Sequence, residues 1–374
     1  YDDISISGFE MRNCTYGVWM DGVADAWVND NGIWGFTDTG IYGASSTVYG
    51  DVQCNGNVIV SAENLLFGID LEFVYGDVEA NDNAIVLTGT STTGIYMNEV
   101  YGDVQCNGND VSTLGSNSYA IYPEDIYGDC QVNGNNIESY YEAIYVSWTG
   151  GDMEAVGNTI YCSDSNGIYF WEIDGKTYVN DNDIDAYANG LYIDDYGYCD
   201  IQVNGNNILS RDGYGVEIDL GYAHVEVSGN TIQSYIDGVY VWEVYSGFEA
   251  YDNVITSWSE EGIYVYYSDA YFIACNNRID SYYYGVYLYE AYSYAIINDN
   301  WIYSRDYEGI YIESYADGVE IKRNTIYSYE EGVYVDDSYG PTDISDNMIT
   351  SEWDYGICLS LIHISEPTRQ AENS

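Results

Sequence analysis

Basic residues are scarce. Lys and Arg together number 8 against 62 Asp and Glu, a formal net charge of −54, and there are only 2 His. A surface of that sign repels DNA, RNA, anionic lipid and acidic polysaccharide, so nucleic acid is excluded as a partner. The same charge keeps a rod soluble and suits a salty or cation-rich medium, where screening shortens the self-repulsion. Proline is nearly absent, at 3, and the 39 Gly follow no three-residue period, which excludes a collagen-like chain. The 8 Cys contain no CxxC pair, an argument against a zinc site. No apolar run reaches the roughly 18 residues that a membrane-spanning helix needs.

Repetition is what the chain has instead. An Asn two residues before Ile or Val recurs at 31, 57, 83, 109, 135, 158, 182, 206, 230, 253, 277, 300, 324 and 347. The first four steps are 26 residues and the others 23 or 24. A Gly or Ala before Ile, Val or Leu recurs in the same rhythm, from Gly17 to Gly356, and the length variation falls in the one turn that leads from each Asn to the next such Gly. Within a coil the apolar residues alternate, as in Val225, Val227, Ile232, Val239 and Val241, which is the period of strands with one face inward. Coils this short leave no room for crossover helices, so each stacks on its neighbour in parallel, and parallel crossovers are right-handed. The expected fold is all-β: a single-stranded right-handed parallel β-helix (a β-solenoid) of about fourteen coils, each of 23–26 residues, roughly 65 Å long at strand spacing. The Asn column, a second Asn-rich column two residues earlier (Asn55, Asn81, Asn107, Asn133, Asn180, Asn204, Asn298) and a Ser column at 61, 139, 210, 234, 257, 281, 304, 328 and 351 read as structural ladders.

With its Asn-x-Ile and Gly-Ile-Tyr columns, the chain resembles the right-handed parallel β-helix repeat family, which spans the pectate-lyase-like superfamily and the NosD-type repeat proteins. The resemblance covers residues 4–358. It implies the fold and leaves function open, because this coil carries enzymes, adhesins and inert stalks. Polyuronate lyases of the superfamily need a basic residue to take a proton and a calcium bridge to the substrate. The galacturonan hydrolases need clustered Asp with His, Arg and Lys nearby. Here Arg12, Lys176, Arg211, Arg278, Arg305, Lys322 and Arg323 are dispersed, and the adjacent Lys322 and Arg323 read as a solvated pair at a turn, so no catalytic residue is carried over. A copper role of the NosD kind would call for clustered His, Met or thiolate. Met11, Met20, Met97, Met153 and Met348 are scattered and His224 is alone. Cys54, Cys106 and Cys130 fall on inward columns and read as small core residues.

Two columns could bind something. Tyr-Gly-Asp recurs so that Asp51, Asp77, Asp103 and Asp129 line up at strand spacing. Calcium would relieve their repulsion, and side chains splayed into water would relieve it too. The second column is an outward Tyr strip that includes Tyr240, Tyr264, Tyr287, Tyr311 and Tyr334, with Trp242 beside it, drawn from a total of 46 Tyr. Such a strip can stabilise its own sheet, hold a polysaccharide between rings and carboxylates, or join neighbouring copies. Two functions are carried forward. The first is a non-catalytic extracellular or cell-surface scaffold or adhesin that contacts carbohydrate or self-associates through the strip. The second is a carbohydrate-active enzyme, a polysaccharide lyase or hydrolase, with carboxylates on the strand faces. The near-regular coils, which lack long cleft-forming loops, favour the first. Residues 359–369, LSLIHISEPTR, are similar to one reading frame of a sequencing-library adapter. The natural β-helix is therefore expected to occupy 1–358, as a fragment incomplete at both ends, with 359–374 non-native.

Overall fold

The computed structural model describes residues 3–43, 48–195, 200–220, 222–313 and 316–360. The chain winds into three fifteen-stranded parallel sheets, each strand pairing with the strand three places on in sequence order. One coil therefore contributes one short strand to each sheet, as in His224–Ser228, Thr231–Ser234 and Val239–Val244. This is the right-handed parallel β-solenoid read from the repeats. No helix among the described residues is long and apolar enough to cross a membrane.

The inward columns stack like on like. Ile208, Ile232, Ile255 and Ile279 pair in register and are essentially buried. Phe248 and Phe272 stack inside the rod with centroids 5.4 Å apart. The Gly column has a steric cause. A Cβ on Gly238 would lie 2.1 Å from Cγ2 of Ile255 and 2.6 Å from the carbonyl oxygen of Gly262. The turn before each ladder Asn needs a left-handed residue, and every member of that column from Asp30 to Asp346 has φ between 55° and 68°. Gly, Asp and Asn dominate it for that reason.

Both Asn columns are hydrogen-bonded ladders. Asn206 donates to Oδ1 of Asn230 through its backbone N–H at 2.8 Å and its Nδ2 at 3.0 Å, and Nδ2 also reaches the carbonyl of Val179 at 2.7 Å. The outer column runs the other way: the N–H of Asn81 donates back to Oδ1 of Asn55 at 2.8 Å. The Ser column closes turns onto carbonyls, as Ser257 does to Ile236. Cys54 and Cys106 are buried, with thiols pushed up to about 12 by desolvation.

Two expectations change in detail. Strand pairing continues past Cys358, with Leu359 beside Val335 and Ser360 beside Asp336. An alternating segment of any origin can add to a parallel edge. The remainder of the segment similar to the adapter lies outside the described residues. Lys322 and Arg323 are not merely solvated: Lys322 pairs with Glu320 at 2.9 Å and Asp343 at 2.7 Å, and Arg323 forks onto Asp299.

Candidate functional site: the outward face of the third sheet

The Tyr strip lies on the outer face of the third sheet, in register from coil to coil. Its exposure differs from the expectation. Tyr240 is buried, at 9 % accessibility, Tyr264, Tyr287, Tyr311 and Tyr334 are half-buried, and only Trp242 is largely exposed, at 43 %. The rings lie on one another and on aromatics from the adjoining turn. Tyr264 and Tyr287 stack at 4.7 Å, Tyr287 and Tyr311 at 5.1 Å, and Tyr284 packs against both Tyr287 and Tyr311. A ring stacked on both sides keeps its faces for its neighbours and shows a partner only its edge and hydroxyl. Those hydroxyls are engaged as well: Tyr287 and Tyr311 donate to Glu313 at 3.2 and 3.1 Å. The central strip is therefore built first of all as a stabilising ladder.

The column breaks at two places, where a carboxylate replaces Tyr. Asp70 follows Tyr42 and precedes Tyr96 in register, and Glu217 stands between Tyr192 and Tyr240. Burial, then the charges of Glu72 and Asp38, push Asp70 up to about 7, and its Oδ1 is buried without a donor. Burial, then Asp219 and Asp194, push Glu217 up to about 7, against the opposing pull of Asn189, which donates to it at 2.5 Å.

Around Glu217 the next outward column reads Trp171, Asp194, Asp219, Trp242. Trp171 pairs with Asp194 and Asp194 with Asp219, and the same register carries Asp219 to Trp242. Two exposed indoles thus bracket two acids, roughly 14 Å apart across three strand spacings. Trp171 is 42 % exposed. Trp242 stacks its far side on Tyr266 at 4.3 Å and 6°, which leaves its other side toward the acids. Tyr192 donates to Asp219 at 3.2 Å, and burial raises both Asp194 and Asp219. The result is a shallow trough with an indole at each end, carboxylate acceptors on its floor and one carboxyl that titrates near neutrality. Of these residues the sequence marks Trp242. The acids between the indoles escaped because they are separated by 23–25 positions and come into line only when the position two after each strip residue is aligned.

Asp51, Asp77, Asp103 and Asp129 do line up, exposed, and each accepts a hydrogen bond from the N–H of the next acidic-column residue, for example Asp77 to Asp51 at 3.0 Å and Asp152 to Asp129 at 2.8 Å. The basic residues are engaged away from the trough. Arg12, Lys176, Arg211 and Arg305 pair with acids, and Arg278 lies over Trp301. His224 faces Glu249 at 3.5 Å and packs near Tyr271.

A family model described as "Periplasmic copper-binding protein (NosD)" matches residues 221–366, and one described as "Right handed beta helix region" matches residues 83–255. No curated protein matches. Among solved structures, the crystal structure of the periplasmic alginate epimerase AlgG is similar, with TM-score 0.31 and 11 % identity over 88 % of this chain and 76 % of that one. A point mutant of that epimerase gives TM-score 0.26 at the same identity and coverage. As for copper, the described residues do not offer its soft donors in a group. Their one convergence of three His, Cys, Asp or Glu donors is all-carboxylate, and the buried thiols are held protonated.

Proposed function

Given that the chain belongs to the right-handed parallel β-helix repeat proteins, we propose that it is a non-catalytic, extracellular or cell-surface scaffold that holds a neutral polysaccharide in the trough between Trp171 and Trp242. The observation that carries this is the indole–acid–acid–indole column. Indole faces pack on the apolar C–H faces of sugar rings, and the carboxylates accept hydroxyl protons. A span of roughly 14 Å accommodates a short run of sugars along the rod. The wording of the matched model, a periplasmic protein, supports an exported chain. The charge of −54 favours a neutral glycan over an acidic one.

A second reading, a carbohydrate-active enzyme, rests on one feature. Burial pushes Glu217 up to about 7, and Asp194 and Asp219, whose charges add to that shift, lie on the same face and are themselves raised by burial. Carboxyls with divided protonation are how glycoside hydrolysis pairs an acid with a base.

The test uses the full chain with neutral and acidic polysaccharides, recording retention in affinity gels and release of new chain ends together. Expected is retention on a neutral glycan without new ends, weakened at least about tenfold by Trp171→Ala or Trp242→Ala. Trp258→Ala, at an exposed indole elsewhere, should leave it unchanged. New ends that vanish in Glu217→Gln would replace the scaffold with the enzyme. Absence of both signals would overturn both readings.

A further inference from the structure

A second cluster of acids stands apart from the trough, in the turns that join the second and third sheets. Glu308 precedes the strand Ile310–Glu313, and one coil later Glu330 and Glu331 precede Val333–Asp336. One carboxylate oxygen from each of the three lies within 4.8 Å of the others. Their backbones are pinned. The N–H of Gly309 donates to the carbonyl of Glu331 at 3.0 Å, and the carbonyl of Glu330 accepts from Ser328 at 3.0 Å and Ser351 at 2.6 Å.

An acidic cluster at a surface is common and means little by itself. This one has a second feature. Glu308 is 9 % accessible, and its Oε2 is fully buried with no hydrogen-bond partner. Burying a carboxylate oxygen without a donor costs several kcal/mol by general experience. Among the described residues no Lys or Arg pairs with any of the three Glu. A bound cation would supply what the chain lacks.

We propose that Glu308, Glu330 and Glu331 form a calcium site that ties two successive coils together. Three carboxylates on one side of the ion, with water completing the shell, match the hard oxygen donors and flexible geometry that calcium accepts. The donor set does not suit copper(I), which calls for sulfur or imidazole. An affinity of about 10⁻⁴ M, typical of extracellular calcium modules, is the expectation. The site is separate from the Asp51–Asp129 column and does not depend on the carbohydrate reading.

The test titrates the chelator-stripped full chain with calcium by calorimetry in roughly 0.15 M NaCl, where diffuse counterion binding is screened. Terbium luminescence, excited through tyrosine, is the second readout. Tyr284 is placed to sensitise it, since after burial the charge of Glu308 acts most strongly on its hydroxyl, with Glu330 also felt. Expected is one saturable site, weakened at least tenfold in Glu308→Gln and in Glu331→Gln but unchanged in Asp103→Asn. Glu308→Gln removes a buried charge and should fold, which circular dichroism checks. Equal calcium uptake by wild type and Glu308→Gln would overturn the proposal, as would loss of the site in Asp103→Asn, which would move the ion to the Asp column.

Discussion

At the scale of single residues, the rod is held by positions whose side chains serve two coils at once. Asn230 accepts from both donors of Asn206, and its Nδ2 reaches the carbonyl of Val203 and Oδ1 of Asn253. Asn230→Ala strands the buried N–H of Asn206 and is expected to cost roughly 2–4 kcal/mol. Asn204→Ala, in the half-exposed outer column, is expected to cost under about 1 kcal/mol. Urea denaturation of the two variants checks the contrast, and equal losses would show that the inner ladder is not special. This column was legible in the sequence because the register puts identical residues in identical places. The trough was legible only in part. The Tyr column announces its outward direction through spacing, but whether its rings lie open or fold onto each other depends on turn aromatics such as Tyr284. Nothing in a single coil reveals that.

At the scale of one sheet, the third carries acids whose ionisation opposes its own stability. Asp70 and Glu217 both sit near 7, above their ordinary values. A carboxyl raised in the folded state holds its proton while the unfolded chain has already lost its own, so stability falls as pH rises from about 4 toward 7 and levels off above that. The melting temperature should therefore drop between pH 5 and pH 7.5, the reverse of ordinary acid denaturation. Glu217→Gln should flatten that drop and stabilise the protein at pH 7.5 by roughly 1–2 kcal/mol, after allowance for partial solvent screening. A melting temperature that rises over this range would refute the assignment of both carboxyls. These shifts were hidden from the sequence, where Asp70 and Glu217 look like any of its 62 acids. The register sets a Tyr on either side of each of them, Tyr42 and Tyr96 for Asp70, Tyr192 and Tyr240 for Glu217.

For the whole molecule, coil length, strand positions and parallel stacking were readable because a solenoid repeats its local rules in every coil. The cluster at Glu308 was not: Glu308 and Glu331 each directly precede a column Gly, but only the packed turns show that Glu308 is buried with an oxygen that has no donor. The −54 charge is spread along a narrow rod, so self-repulsion acts mostly through solvent. Raising NaCl from about 0.01 M to 0.5 M shortens screening from about 30 Å to a few ångströms and should raise the melting temperature by at least a few degrees. A scan across that range measures it, and an unchanged value would mean that the charge is already neutralised by protons or bound ions.

The two Asn ladders run in opposite senses: the inner passes its donors toward later coils and the outer toward earlier ones. Each face of a coil therefore carries a mixed code of donors and acceptors, the complement of the code on its other face. A coil that slips by one residue sets the ladder Asn against its left-handed neighbour, and a coil that docks upside down meets donor with donor. The rod thus has a built-in polarity, like a zip whose teeth mesh from one side only, and it accepts new coils head to tail and in a single register.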